Sequence, residues 1–397
     1  MGAIKLQDHI YSVGVLNPSL RVFDIVMEAR FGTSYNAYLV TGEKNVLVET
    51  VHLDYFEEYL NNINSIIDFS KIDYLIMNHT EPDHSGSVAK ILALNPNIKV
   101  VCTQAAQKYL SAIANSSFAC QVVKSGDKLD IGNGRELEFI IAPLLHWPDS
   151  MFTWDAQTQT LFTCDFLGAH FCEPTMLDRN IHYEKEYEGQ LLYYFQCIFG
   201  PFKPYVLAGL DKIAGLPIKT VCPSHGPCLQ GRIRRNMELY REWSTPKPRE
   251  KKLAAVLYAS AYGCTAKLAQ AAADELKKDA RLEVAVVDVV NTPLSESAVL
   301  ANEADILLVG SCTINRDAPK IIWDVLSSID AINTGGKLAG AFGSYGWSGE
   351  AVDMIKSRLK YLKFTFIGKG LKANFMPGSE DFDKIREYAR HLAFKSN

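Results

Sequence analysis

The sequence predicts an α/β chain of two units, residues 1–248 and 249–397. Three observations carry this expectation. A chain of 397 residues exceeds one ordinary core. The run Trp243 to Lys252 holds two prolines among clustered charges, which stops a helix and reads as a linker. The two sides of that run also differ in pattern. The first has many short strands with helices between some of them, as in a four-layer αββα sandwich. The second alternates strand and helix regularly, as in a doubly wound parallel sheet of five strands.

In the first unit, apolar runs give strands at Tyr35 to Val40, Asn45 to Glu49, Tyr74 to Met77 and Lys99 to Cys102. Further strands fall at Glu136 to Ala142, Met151 to Trp154, Thr160 to Cys164 and Lys219 to Cys222, and helices at Leu53 to Ile67 and Thr103 to Ile113. The second unit reads as strands at Leu253 to Ala259, Val284 to Val289, Asp305 to Gly310, Lys337 to Phe342 and Phe364 to Ile367. Its helices fall at Thr265 to Lys278, Ala318 to Ser328, Glu350 to Lys360 and Asp381 to Ala393. Ligands of such sheets bind at the carboxyl ends of the strands.

Composition narrows the function. Hydrophobic residues at 48% and charged residues at 22% are ordinary for a globular protein. A net charge of −4 with no basic patch argues against nucleic acid as a partner. No apolar run reaches the ~18 residues of a membrane span, and the N-terminus lacks a signal-peptide pattern, so a cytoplasmic location is expected. The nine cysteines form no C-x-x-C pair, which excludes a rubredoxin-type iron site and a zinc ribbon in this chain.

The chemistry is densest at His79-Thr80-Glu81-Pro82-Asp83-His84, directly after an apolar run. A strand ending in a loop aims several side chains at one spot. His146, Asp165 and His225 also follow apolar runs, so the same end of the sandwich can receive them. The opening motif resembles the His-x-His-x-Asp-His metal motif of the metallo-β-lactamase fold, with Glu81 in place of the second histidine. A carboxylate there hardens a nitrogen-rich site and suits iron and oxygen chemistry better than hydrolytic zinc. His170, five residues after Asp165, reads as a donor to the back of a ligand.

In the second unit, Ser260-Ala261-Tyr262-Gly263-Cys264-Thr265 joins the first strand to its helix. Hydroxyls and N–H groups at a helix N-terminus form an anion site suited to phosphate. Two later strand-end loops, Gly310 to Asn315 and Phe342 to Gly349, can surround a flat ring.

With these motifs in hand, the chain resembles a flavodiiron protein (an A-type flavoprotein), a metallo-β-lactamase-like domain fused to a flavodoxin-like domain. The resemblance implies two iron ions and FMN. It assigns His79, Glu81 and His146 to one iron and Asp83, His84 and His225 to the other, with Asp165 as the bridge. Tyr193 matches a family tyrosine whose hydroxyl reaches the diiron pocket, with its neighbour Tyr194 as the alternative. At the flavin, Ser260, Tyr262, Gly263, Cys264 and Thr265 are placed at the phosphate. Thr313, Ile314 and Asn315 flank the ring, with Ser344, Tyr345, Gly346 and Trp347 on another side. Cys312 and Arg316 depart from the usual pattern, and Arg316 is expected to raise the flavin potential by stabilising anionic reduced flavin. The resemblance further implies reduction of O2 to water or NO to N2O. It implies a rubredoxin or another reduced carrier as donor, and a head-to-tail homodimer or dimer of dimers. The rivals are a zinc hydrolase with a flavodoxin appendage, and an FMN electron carrier whose first domain only mediates dimerisation.

Overall fold

The computed structural model describes residues 2–396, and the chain divides into two units between Pro246 and Lys247. Thr245 takes extended dihedrals (φ −69°, ψ 120°) and ends the helix Ile233–Ser244. Pro246 follows it, and the residue before a proline is disfavoured in the helical region.

The first unit is built on two sheets. Seven strands, Ile4–Gln7, Ile10–Ser12, Tyr38–Val40, Asn45–Val48, Ile72–Met77, Lys99–Cys102 and Cys120–Val122, lie in that order in one. The other has Lys128–Asp130, Glu136–Ile141, Met151–Asp155, Thr160–Cys164 and Thr220–Pro223 in order. Side chains alternate across each strand, so Val46 and Val48 join Phe139, Met151 and Phe162 between the sheets. Leu47, Leu75 and Val100 point the other way, into a cluster that includes Phe56, Tyr59 and Ile63 of helix Phe56–Asn64. The layering is therefore αββα.

The expected strand Tyr35 to Val40 is broken in two. Thr33–Tyr35 pairs with Val15–Asn17 in a separate ribbon, while Tyr38–Val40 enters the seven-stranded sheet. Asn36, between them, donates its amide to the carbonyls of Pro223 and Gly226 (both 2.8 Å) and ties the break to the loop after the last strand. Sequence periodicity also passed over the short N-terminal strands and the hairpin Val22–Phe23/Met27–Glu28.

The second unit is a parallel sheet in the order Leu282–Asp288, Lys252–Ala259, Ile306–Cys312, Leu338–Tyr345. Two short segments, Thr365–Phe366 and Leu371–Asn374, share the place beyond Leu338–Tyr345. Gly368 and Gly370, both at positive φ, turn the chain between them. Ala254 and Val256 face Leu268, Ala272, Ile385 and Ala389 on one side. Ala255 and Leu257 face Ile322, Val325 and Ile355 on the other. Helices thus cover both faces, which is the doubly wound arrangement.

Candidate metal centre and flavin loops

Strand Ile72–Met77 ends two residues before His79, and Pro82 opens the single helical turn Pro82–Ser85 that carries Asp83 and His84. Proline at that position has its fixed φ and missing N–H already suited to a helix start. His146 comes from the loop between Glu136–Ile141 and Met151–Asp155. Asp165 directly follows Thr160–Cys164, and His225 lies two residues after Thr220–Pro223. All seven expected ligands meet. His79, Glu81, His146 and Asp165 form one group and Asp83, His84 and His225 another, with donor atoms in each group within 4.8 Å of one another.

Asp165 stands between the groups. Its Oδ2 lies 3.3 Å from His146 Nε2 and 3.6 Å from His79 Nε2. Its Oδ1 lies 3.0 Å from His84 Nε2 and 3.5 Å from His225 Nε2. Glu81 Oε2 closes the first group at 3.0 Å from His146 Nε2. Asp83 Oδ2 closes the second at 3.0 Å from His225 Nε2.

These contacts lack hydrogen-bond geometry. His79 Nε2, His84 Nε2 and both oxygens of Asp83 and of Asp165 are buried with no hydrogen-bond partner. Buried polar atoms are normally paired, and orphans pointing at one another are what two cations between the groups would satisfy. Two Fe(II) carry four positive charges, and the three carboxylates offset three of them. The donor set therefore fits a pair of metal ions.

The backs of the ligands are held. His79 Nδ1 lies 3.2 Å from Asp149 Oδ2, which also accepts the Thr80 hydroxyl at 2.7 Å. His225 Nδ1 donates to the Ser34 carbonyl at 2.7 Å, and the Ser34 hydroxyl accepts from the Gly226 N–H at 2.8 Å. Each bond directs the ring's Nε2 into the centre. Asp149 escaped the sequence reading. The available signal was a carboxylate three residues after His146 in the same strand-end loop.

Charge balance without metal falls to the histidines. Burial pushes His84 down, but Asp83 and Asp165 outweigh it and hold it up at about 10. Burial likewise opposes charge on His79, yet Asp149 and Glu81 keep it well above its usual value. Asp165 is held well below the usual carboxylate range because His84 and His146 overcome its desolvation. His170 goes the other way: burial, then His225, push it well down. Its Nδ1 lies 2.8 Å from the Thr33 hydroxyl, itself 3.4 Å from His225 Nδ1, so it supports the His225 side of the site. Asp24, at positive φ in the Val22–Glu28 hairpin, is raised to about 6 by burial and by Glu81 and Asp83 beside it. The hairpin therefore comes beside Glu81 and Asp83.

Tyr193 is not brought into this cluster. Its hydroxyl accepts from the Glu28 N–H at 3.2 Å and so holds the hairpin. Tyr194 turns inward instead, fully buried, its ring 4.9 Å from His170 and 6.1 Å from His225. The helix Glu184–Tyr194 passes into a wider π turn, Phe195–Phe199. Tyr187, Leu191 and Tyr194 are buried at the i, i+4, i+7 spacing of one helix face, which turns Tyr194 inward and leaves Tyr193 off that face.

In the second unit the three expected loops lie at neighbouring strand ends. Gly263, at φ 77°, precedes the helix Cys264–Leu276, and a Cβ built on it meets nothing within 4 Å. The Ser260 hydroxyl accepts from the Ala266 N–H at 3.2 Å. The hydroxyls of Thr265 and Ser344 lie 2.8 Å apart, and the Thr313 N–H donates to the Ser344 carbonyl at 3.2 Å, so the loops interlock. Asn315 sits at positive φ in the turn Ile314 to Asp317, with Ile314 half exposed. Tyr262 and Trp347 are 92% and 80% exposed, an unusual amount of aromatic surface unless a planar ring covers it. The Asn374 amide donates to the Gly346 carbonyl at 2.7 Å, and Tyr345 accepts from the Phe375 N–H at 2.7 Å. An unobstructed helix start with hydroxyls around it, beside exposed aromatic rings, fits FMN. Cys264 is half-buried, its thiol near the Tyr262 carbonyl. Arg316 is paired with Glu350 at 2.9 Å, so its charge is largely answered within the protein.

Comparison with known proteins agrees with both halves. Residues 33–226 match the ODP family of beta lactamases, and residues 256–388 match flavodoxin. The chain is 47% identical to a flavo-diiron protein of Clostridium acetobutylicum, over 99% of each. It is 33% identical to a type A flavoprotein of Rhodobacter capsulatus, over 99% of this chain and 91% of that one. Among solved structures, the rubredoxin oxygen:oxidoreductase of Desulfovibrio gigas aligns with a TM-score of 0.71 at 28% identity, covering 99% and 98% of the two chains. The flavodiiron protein of Giardia intestinalis aligns at 0.69 and 25%, covering 100% and 97%. The chain belongs to the flavodiiron protein family, oxidoreductases that carry a diiron centre and FMN.

Proposed function

We propose that this protein reduces O2 to water, NO to N2O, or both, at a diiron site in its first unit. Electrons reach it through FMN in the second unit from an external donor. The observation that carries the reading is Asp165, whose two oxygens face two separate sets of donors. That is the placement of a carboxylate shared by two metals, and Glu81 among the donors suits iron better than hydrolytic zinc. When bound, the pair of irons would supply two electrons and FMN two more, which matches four-electron reduction of O2 and exceeds the two needed to couple a pair of NO molecules.

The chain's own residues have separate tasks. His79, Glu81 and His146 would hold one metal and Asp83, His84 and His225 the other. Asp149 and the Ser34 carbonyl keep His79 and His225 in one tautomer. Phe199 and Phe202, with ring centroids 6.4 and 6.5 Å from His146, wall the site with apolar surface and limit water. Ser260, Gly263 and Thr265 hold the phosphate, and Tyr262 and Trp347 cover the ring.

A separate reduced carrier is the expected donor. The Desulfovibrio gigas relative is named for rubredoxin and oxygen, and a rubredoxin is the donor expected here. The assembly expected is a head-to-tail homodimer or a dimer of dimers, in the cytoplasm. Among the described residues no helix is long and apolar enough to cross a membrane. The test is parallel O2 and NO consumption by iron-loaded, flavin-reduced protein, with H2O2 and N2O measured and metal content determined. O2 loss without H2O2, or NO loss with N2O formed, supports the reading. Iron- and FMN-replete protein that consumes neither gas overturns it.

A further inference from the structure

Cys102 and Cys120 lie with their sulfurs 3.6 Å apart. They sit on adjacent parallel strands, Lys99–Cys102 and Cys120–Val122. Cys120 is opposite Val100, so the two thiols share one face of the sheet on a diagonal. Cys120–Val122 is the outermost strand of its sheet, three residues long, and is reached by a stretch without regular structure after helix Gln104–Ala114. Such a strand is bonded on one side only and has room to shift. The sulfurs must close by about 1.6 Å to reach bonding distance.

We propose that Cys102 and Cys120 are a dithiol that oxidises to an intramolecular disulfide, with Cys120 as the attacking thiol and Cys102 as the resolving one. The environments assign the roles. Cys102 is fully buried, whereas Cys120 is half-buried and reachable. Cys120 is held below the usual thiol range by its hydrogen bond with Cys102, helped by Gln107 and the charge of Lys99. Cys102 is pushed up by the same hydrogen bond and by burial. The thiolate is the nucleophile.

The oxidant class is a low-molecular-weight disulfide. The Cys120 thiolate attacks one of its sulfurs, the S–S bond breaks, and one thiolate leaves and takes a proton from water. Cys102 then loses its proton to water and attacks the Cys120 sulfur, expelling the second thiolate. Two protein thiols are oxidised and one disulfide is reduced to two thiols, a two-electron exchange.

The experiment treats the full-length, metal-loaded protein with glutathione disulfide and maps its cysteines by mass spectrometry without reduction. Exposed Cys197 serves as the internal control for reagent action. The expected result is a Cys102–Cys120 crosslinked peptide in the wild type. In Cys102→Ser the reaction stalls as a stable glutathione adduct on Cys120. Absence of the crosslink while Cys197 is modified overturns the proposal. A wild-type crosslink with no adduct on Cys120 in a folded Cys102→Ser overturns the assignment of Cys120 as the attacking thiol.

Discussion

The Asp149 carboxylate holds His79 from behind, at 3.2 Å from its Nδ1, and the Thr80 hydroxyl holds that carboxylate in turn. A charged partner at Nδ1 raises the basicity of Nε2 as well as aiming it. Asp149→Asn keeps the shape and removes the charge. Metal affinity is expected to fall about 10–100-fold, measured by competition with a chelator, while circular dichroism stays unchanged. Undiminished affinity would show that orientation alone suffices at His79.

Metal loading is expected to release protons. His84, held at about 10, is charged at neutral pH in the metal-free chain and must give up its proton to bind a cation. Its contribution to metal-free stability is fully present below the ordinary value of 6.5 and is lost as pH rises through about 10. Apparent affinity should therefore rise with pH until His84 is neutral, at about 10. Calorimetric titration in buffers of different ionisation enthalpy reads the released protons, and buffer-independent heats would refute it.

Two glycines of the flavin loops should respond differently to alanine. At Gly263 a Cβ meets nothing, so only the positive φ opposes it, about 1–2 kcal/mol. At Gly343 the Cβ would lie 2.0 Å from the Ser311 carbonyl oxygen, which forces the neighbouring strand aside. Gly263→Ala should fold and bind FMN more weakly, while Gly343→Ala should lose the flavin unit's cooperative unfolding. Flavin fluorescence titration and thermal melts separate the two.

Arg316 and Glu350 form a pair beside the flavin loop. Arg316→Asn should lower the FMN midpoint potential by leaving a carboxylate unanswered, and Glu350→Gln should raise it. The double variant should return close to the wild type. Redox potentiometry on the three proteins decides, and single variants that leave the potential unchanged would refute an effect of the pair on the flavin.

Tyr193→Phe removes the acceptor of the Glu28 N–H at the hairpin. A loss of about 0.5–1.5 kcal/mol is expected, with metal stoichiometry intact. Iron content together with denaturant melts checks it.

Much of this was legible in the sequence because it is local. The motif His79 to His84 sits in one loop, and the βα turns of the second unit declare themselves by strand, glycine and hydroxyl. What escaped depends on packing between distant segments. Asp149 becomes a support only because its loop folds back on His79. The Val22–Glu28 hairpin is too short to show periodicity, so Asp24 near Glu81 left no trace. Tyr194, by contrast, was legible, since it continues the buried face of Tyr187 and Leu191 at ordinary helical spacing. The broken strand at Asn36 reflects carbonyls nearly 190 residues further along that need donors.

Four of the seven metal ligands hang from the seven-stranded sheet and three from the five-stranded one. Cations held between them would rivet one sheet to the other at a single rim. Loss of metal would then be a mechanical event as well as a chemical one: the sandwich would open first at that rim, and holoprotein and apoprotein would differ most in the rate at which the two sheets come apart.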